Sequence, residues 1–265
     1  FHFWILMPTE NDLLSTSIFL FAHQDDEFGI FQKILDELEA GNLVCCAYLT
    51  NGALGPDLAN RRNRESLTVL LKLGVDVKNI FFAGDILGIS DSKLLEHLDL
   101  ASNWIRNWWS RIPRIQSVYI PAWEGGHPDH DALHAITLRI AQDNIDPSRI
   151  QQFSLYNGYQ CSGPLFRVLS PLPNNGPTNS RPIAWNNRLK FLSYCLQYPS
   201  QRKTWIGLFP FVLMHYIFYG LQATQPTNIQ RIRSRPHSGL LYYERRGFCT
   251  WDNLTTRINN WNNTV

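Results

Sequence analysis

The stretch FLFAHQDDEFG, residues 19–29, decides how the chain folds. Phe19, Leu20, Phe21 and Ala22 read as the end of a buried strand. His23, Asp25, Asp26 and Glu27 then crowd three carboxylates and a ring nitrogen into five positions. Adjacent carboxylates repel one another, and burial raises that cost. A cluster of this kind needs a compensating cation, a solvated surface or a chemical role.

Working outward, short apolar runs bounded by turn residues recur at 17–22, 43–50, 79–84, 117–122 and 152–158. Several are continuous rather than alternating, as strands covered on both faces are. Helical patterns separate them. FGIFQKILDELEAG places Ile30, Ile34, Leu35 and Leu38 on one stripe and stops at Gly41. NRRNRESLTVLLKLGV directs Leu67, Leu70 and Leu71 inward and ends at Gly74. DSKLLEHLDLASNWIRNWW carries Leu94, Leu95, Leu98, Ala101, Trp104, Ile105 and Trp108 at three- and four-residue spacings. Alternating strands and helices predict a Rossmann-like α/β fold, a mostly parallel sheet with helices on both faces. The whole of 1–265 reads as one domain with a core over about 17–160. The remainder, about 161–265, reads as an elaboration that packs on the sheet and shapes the pocket.

With 265 residues, 44% of them hydrophobic and 17% charged, the chain has material for a sizeable core. A net charge of +2 without a long Lys/Arg run argues against nucleic acid as a partner. Five cysteines without a CxxC pair fit a reducing, cytoplasmic setting. Cys45 and Cys46 read as small buried thiols. The opening FHFWILMPTENDLL lacks the basic first region and the long apolar stretch of a secretory leader. WIGLFPFVLMHYIFYGL, residues 205–221, has no charged residue, yet it is shorter than the roughly 20 residues of a span and is broken by Pro210. It reads as a buried or lid-like helix, with peripheral contact to a membrane or a lipid-linked substrate as the alternative.

A second polar cluster, EGGHPDHDALH at 124–134, follows the fourth strand candidate. In an open parallel sheet, ligands bind beyond the carboxyl ends of the strands. Two clusters about 100 residues apart are therefore expected at one rim. Zinc in catalytic sites takes three nitrogen or oxygen ligands and leaves a place for water. His23 and Asp26, three apart on one turn, can face one ion, and a histidine of the second cluster completes the set. Asp25 is then spare to take a proton, and the dication offsets the acidic repulsion. His134 reads as structural.

AHQDDE at 22–27 and HPDH at 127–130 together resemble the PIG-L/LmbE-like family of zinc-dependent N-acetylglucosamine deacetylases. The family's first motif reads AHPDDE, so Gln24 stands where proline is usual. TNG at 50–52 and Arg62 with Glu65 match its intermediate features. The resemblance covers roughly 17–160. It implies His23, Asp26 and His130 as zinc ligands, Asp25 as general base, and His127 as partner to the developing oxyanion, oriented by Asp129. Arg62, with Glu65 and Asn51, is implied on the substrate side. Replacing proline by Gln24 frees one backbone rotation and adds an amide. The implied reaction is removal of an acetyl or other acyl group from an N-acyl amino sugar or glycoconjugate, a small-molecule partner. A non-sugar N-acyl amine and a non-catalytic glycan- or lipid-binding role are the alternatives. The aromatic and arginine-rich residues after 160 read either as pocket lining or as ordinary core and solvated surface.

Overall fold

The computed structural model describes residues 15–53, 55–142 and 145–263. The amino-terminal stretch read above, including His2, lies outside them. The core follows the alternation expected from sequence. β1 (Thr16–Phe21) turns through a 3-10 segment (Asp26–Gly29) into α1 (Phe31–Glu39), followed by β2 (Leu43–Tyr48) and α2 (Pro56–Leu73). A two-residue β3 (Ile80–Phe81), α3 (Ala83–Leu87), α4 (Leu98–Trp109), β4 (Ile115–Pro121), α5 (Pro128–Ala141) and β5 (Ile150–Phe153) complete it. These five strands are parallel and run in the order β3-β2-β1-β4-β5.

Period-two alternation within the strands divides the interior into two layers. Ile18, Leu20, Ala47, Val118 and Ile120 pack with α4, α5 and the last helix. Phe19, Phe21, Val44, Cys46 and Tyr119 face the other way, toward α1, α2 and the aromatic residues of the tail. The chain moves from β1 to β2 on one side and later returns to place β4 on the other. The reversal of strand order at β1 and β4 opens a crevice beyond their carboxyl ends.

After β5 come a small antiparallel pair, β6 (Tyr156–Asn157) and β7 (Arg167–Val168), then β8 (Asn179–Pro182), α6 (Trp185–Cys195), α7 (Arg202–Met214), β9 (Leu221–Pro226), α8 (Tyr242–Arg245) and α9 (Trp251–Asn262). Here the structure corrects several expectations. The tail does more than pack on the sheet, because β9 and β8 extend it antiparallel beyond β5. The run 152–158 is two strands in two different sheets, separated where Ser154 and Leu155 leave the ladder. On α2 the buried face carries Ser66, Val69, Leu70 and Leu73, while Leu71 is exposed. The pattern at 91–109 becomes helical only at Leu98, after a separate 3-10 turn (Leu94–Glu96).

The uncharged segment 205–221 runs through α7 and a following π turn (His215–Tyr219) that ends at Gly220, φ 55°, and reaches the first residue of β9. Trp205, Leu208, Val212 and Tyr216 form its buried stripe, whereas Ile206, Met214, Phe218 and Tyr219 are exposed. Among the described residues no helix is long and apolar enough to cross a membrane. All five cysteines are free thiols, with Cys45, Cys46 and Cys195 buried.

Candidate active site

The loop after β1 is built around Asp26. Its Oδ2 accepts backbone N–H bonds from Ala22 (2.9 Å) and His23 (2.8 Å), which leaves Oδ1 directed across the crevice. Asp25, one residue earlier, sits at φ 111° and ψ −16°, a left-handed conformation that costs a non-glycine residue free energy. Gln24 fixes the other side of the loop. Its amide donates to Thr50 O (3.2 Å) and Asn63 Oδ1 (2.7 Å), and its carbonyl accepts from Gln201. The loop that lacks the usual proline is therefore held by side-chain bonds instead.

The loop after β4 arrives from the opposite side. Gly125 has φ +70°, and at Gly126 a Cβ would stand 2.1 Å from Tyr156 O, so close backbone approach requires both glycines. Asp131 accepts from the Glu124 and Gly125 N–H groups and stiffens the turn. Pro128 opens α5 at its first turn, and His127 precedes it with Nδ1 accepting from the Asp129 N–H at 3.2 Å.

The two loops bring His23, Asp26 and His130 together. His130 Nε2 is 3.0 Å from Asp26 Oδ1 and 3.2 Å from His23 Nδ1, and His23 Nδ1 is 3.7 Å from Asp26 Oδ2. A tetrahedral ion with bonds of about 2.0–2.1 Å separates its ligand atoms by about 3.3 Å, so these three donors fit zinc. On the far edge of the ring, His23 Nε2 lies 3.0 Å from Asp129 Oδ2. A metal-ligating histidine characteristically gives its other N–H to a carboxylate, and Asp129 stands where it would fix the tautomer that leaves Nδ1 free as a donor atom. Asp129 thus serves His23 with its carboxylate, while it meets His127 through its backbone N–H. That carboxylate is itself held by the N–H groups of Ser92 (2.7 Å) and Leu94 (3.0 Å).

Charge is balanced pairwise inside this cluster. Burial opposes a cationic His23, yet its bonds to Asp129 and Asp26 raise its pKa well above the usual value. Burial also works against ionising Asp26, but the charge of His130 and the bonds from both imidazoles bring it well below the ordinary carboxylate range. Asp25 is pushed the other way, by burial and by its neighbours Asp26 and Glu27. Glu27, fully buried, is raised to about 7 by desolvation. His127 is lowered to about 3 by burial and by the facing His23.

Above these groups lies a cavity of about 420 Å³. His23, Asp25, Asp26 and His127 lie at its floor, Arg62, Asp91 and Ser92 on one flank, and Phe28, Phe166, Leu208, Tyr242, Arg246 and Phe248 around it. Of the residues expected near substrate, Arg62 lines the cavity, with Nη1 3.7 Å from Asp91 Oδ2. Glu65 does not: its carboxylate is turned away to accept from Ser200 N (3.0 Å) and Ser200 Oγ, and it pairs with Arg61. Asn51 is also absent from the lining, its Oδ1 accepting from Ala53 N (3.0 Å) and its N–H reaching Ile89 O. His134 donates to or accepts from no site group; its Nδ1 meets Pro121 O at 2.9 Å.

Sequence reasoning missed Asp91, whose Oδ1 stands 3.4 Å from His23 Nε2 and 3.9 Å from His127 Nε2. It missed Trp205 as well, which donates to Asp25 Oδ2 at 3.1 Å. Of the tail arginines, Arg231 and Arg245 bond backbone carbonyls and Arg235 pairs with Glu244, while Arg246 reaches the cavity. The tail aromatics divide in the same way: Tyr198 and Trp205 stack beneath the site, and Tyr242 lines it.

Residues 18–141 match the family described as PIG-L: GlcNAc-PI de-N-acetylase. Among solved structures, a deacetylase of the teicoplanin biosynthesis pathway superposes with a TM-score of 0.62 at 16% identity, over 81% of this chain and 98% of that one. The zinc-inhibited form of teicoplanin deacetylase gives a TM-score of 0.59 at 15% identity, over 81% and 98%. The N,N'-diacetylchitobiose deacetylase of Pyrococcus horikoshii gives 0.56 at 15% identity, over 81% and 83%. At these identities the likeness establishes the fold. No curated protein sequence matches the chain.

Proposed function

We propose, from the premise that the chain carries a PIG-L-family domain at residues 18–141, that it is a metal-dependent N-deacetylase. Its substrate is read as an N-acyl amino sugar or glycoconjugate. The teicoplanin and diacetylchitobiose deacetylases that share the fold support this class. We read residues 1–265 as one functional domain, since α7 and α8 of the tail complete the cavity formed by the core loops. The observation that carries the proposal is the convergence of His23 Nδ1, His130 Nε2 and Asp26 Oδ1 beside a carboxylate, Asp25, that has no place among them.

His23, Asp26 and His130 are the proposed ligands. When bound there, zinc supplies Lewis acidity to a water and to the acyl carbonyl. The remaining work falls to the side chains. Asp25 faces the cavity and takes the proton of the attacking water. Asp25 then holds that proton and returns it to the departing amine. His127 accepts at Nδ1 from the Asp129 N–H, so a neutral ring carries its hydrogen on Nε2. Nε2–H then donates to the oxyanion that develops as the carbonyl is attacked, a contribution worth about 10²–10³ in rate. Arg62 is assigned to substrate hydroxyls or an anionic substituent at the flank.

The aromatic rim of Phe28, Phe166, Tyr242 and Phe248 favours a second reading within the same chemistry, an N-acyl amine with a bulky apolar portion. Both readings are tested by one experiment. Purified protein is assayed for amine release from N-acyl glycosides and N-acyl amines, with and without chelator. Chelator-sensitive release from the glycosides supports the sugar reading, and release confined to the amines supports the second. Release that chelation leaves untouched would remove the metal from the proposal.

A further inference from the structure

Four bonds anchor one strap of the tail, residues 198–205, three of them on the loop that carries Asp25 and one on α2. Tyr198 Oη donates to Glu27 Oε1 (2.9 Å), Ser200 N donates to Glu65 Oε1 (3.0 Å), Gln201 donates to Gln24 O, and Trp205 Nε1 donates to Asp25 Oδ2 (3.1 Å). Three of the four hold backbone or groups remote from the cavity. The fourth ends on the proposed base.

Asp25 needs such a restraint. Its backbone occupies a left-handed conformation, and a carboxylate on a free rotor would present either oxygen to solvent. Among the described residues, Trp205 Nε1–H makes the one hydrogen bond to this carboxylate, and it binds Oδ2. Oδ1 is thereby left for the proton in transit. The indole is rigidly placed: it is buried, stacked on Tyr198 at 5.6 Å with 6° between planes, and met edge-on by Phe28 at 5.3 Å. An indole N–H donates and never accepts, so it cannot compete for the proton that Asp25 carries.

We infer that Trp205 is a positioning residue for the proposed deacetylation, holding one Asp25 oxygen so that the other meets the attacking water. The inference rests on the reading of Asp25 as base. It also assigns a role in the chemistry to a helix outside the matched 18–141 segment.

A double-mutant cycle on the full-length metal-loaded protein, assayed with the N-acyl glycoside most rapidly turned over, tests it. Trp205→Phe keeps an aromatic ring for Tyr198 and Phe28 but removes the donor. A hydrogen bond to a charged group supports a fall of about 10–100-fold in kcat, with KM and zinc content unchanged. In an Asp25→Asn background the same substitution should have no further effect, because the group it positions is already disabled. If Trp205→Phe turns over like the wild type, or costs the same factor in both backgrounds, the positioning role is overturned while the base stands. Full turnover by Asp25→Asn alone would overturn the base, and the role of Trp205 with it. Should Trp205→Phe fail to fold, replacing Trp205 with its benzothiophene isostere removes the N–H from an almost unchanged shape and carries the same two outcomes.

Discussion

His23 Nδ1 and His130 Nε2 stand 3.2 Å apart although 107 residues separate them in the chain. Nothing local brings them together; the parallel register of β1 with β4 does, with Phe19 opposite Tyr119 at the last paired position. Each histidine alone is an ordinary loop or helix residue, and each is buried beside a carboxylate. His23→Ala or His130→Ala should therefore abolish stoichiometric zinc while the two-layer core persists. Metal analysis with circular dichroism checks this, and full zinc occupancy in both variants would end the ligand assignment.

Much of this arrangement was legible in the sequence because strand-end motifs report their own position. A continuous apolar run followed at once by HxDD reads as the mouth of a buried parallel strand, and both motif loops do meet at the crevice. What was missed had no local signature. Asp91 lies in a turn, with Ser92 at φ 63°, and its N–H reaches Ala53 O at 3.4 Å, a tertiary contact with no mark in the local sequence. Trp205 was one aromatic residue among many until tertiary packing aimed its N–H at Asp25. Glu65 illustrates the opposite failure. The resemblance implied it on the substrate side with Arg62, yet its carboxylate is taken up by Ser200 and Arg61.

Gln24 carries what a proline would have supplied through ring geometry. Its buried amide makes two donor bonds, to Thr50 O and Asn63 Oδ1. Gln24→Ala leaves both acceptors without that partner and should lower stability by about 1–3 kcal/mol, measured by urea unfolding. Activity should fall as well, since the same loop presents His23 and Asp25. A variant with unchanged unfolding midpoint and turnover would show that these bonds restrain nothing.

Arg62 borders the cavity with its side chain largely covered and its guanidinium 3.7 Å from Asp91. It touches none of the three proposed ligands at bonding distance. Arg62→Lys preserves charge but not the planar fork. The expected outcome is a rise in KM of about tenfold, roughly the worth of one charged hydrogen bond, with zinc content intact. A fall in kcat at unchanged KM would move Arg62 from substrate binding to the chemical step.

His134 gives the fold a defined acid sensitivity. Burial lowers its pKa from 6.5 to about 4, and its neutral Nδ1 donates to Pro121 O. Between those two values the unfolded chain binds a proton that the native chain refuses, so stability falls as pH drops from 6.5 toward 4. Over that window the loss from this group amounts to about 3 kcal/mol, and below it the loss is complete. His134→Asn keeps a donor near the Nδ1 position without a titrating ring. The variant should be less stable at pH 7 and flatter between pH 6.5 and 4 when unfolding free energy is followed against pH. An unchanged acid slope would assign the sensitivity to other groups.

Gly207 poses the sharpest conflict between helix stability and cavity shape. It occupies the interior of α7, where glycine costs roughly 0.5–1 kcal/mol relative to alanine. Packing does not demand it, because a Cβ there would meet no atom within 4 Å. The residue lines the cavity next to Leu208, so the space that its missing side chain leaves belongs to whatever the cavity holds. Gly207→Ala should therefore raise the unfolding free energy by about 0.5–1 kcal/mol and leave a small N-acetyl substrate little affected. Gly207→Leu should stabilise less and raise KM steeply for substrates with a bulky portion while sparing small ones. Steady-state comparison of a small and a large N-acyl glycoside reads this out. Equal effects of Gly207→Leu on both would place the bulky portion of the substrate elsewhere in the crevice, away from α7.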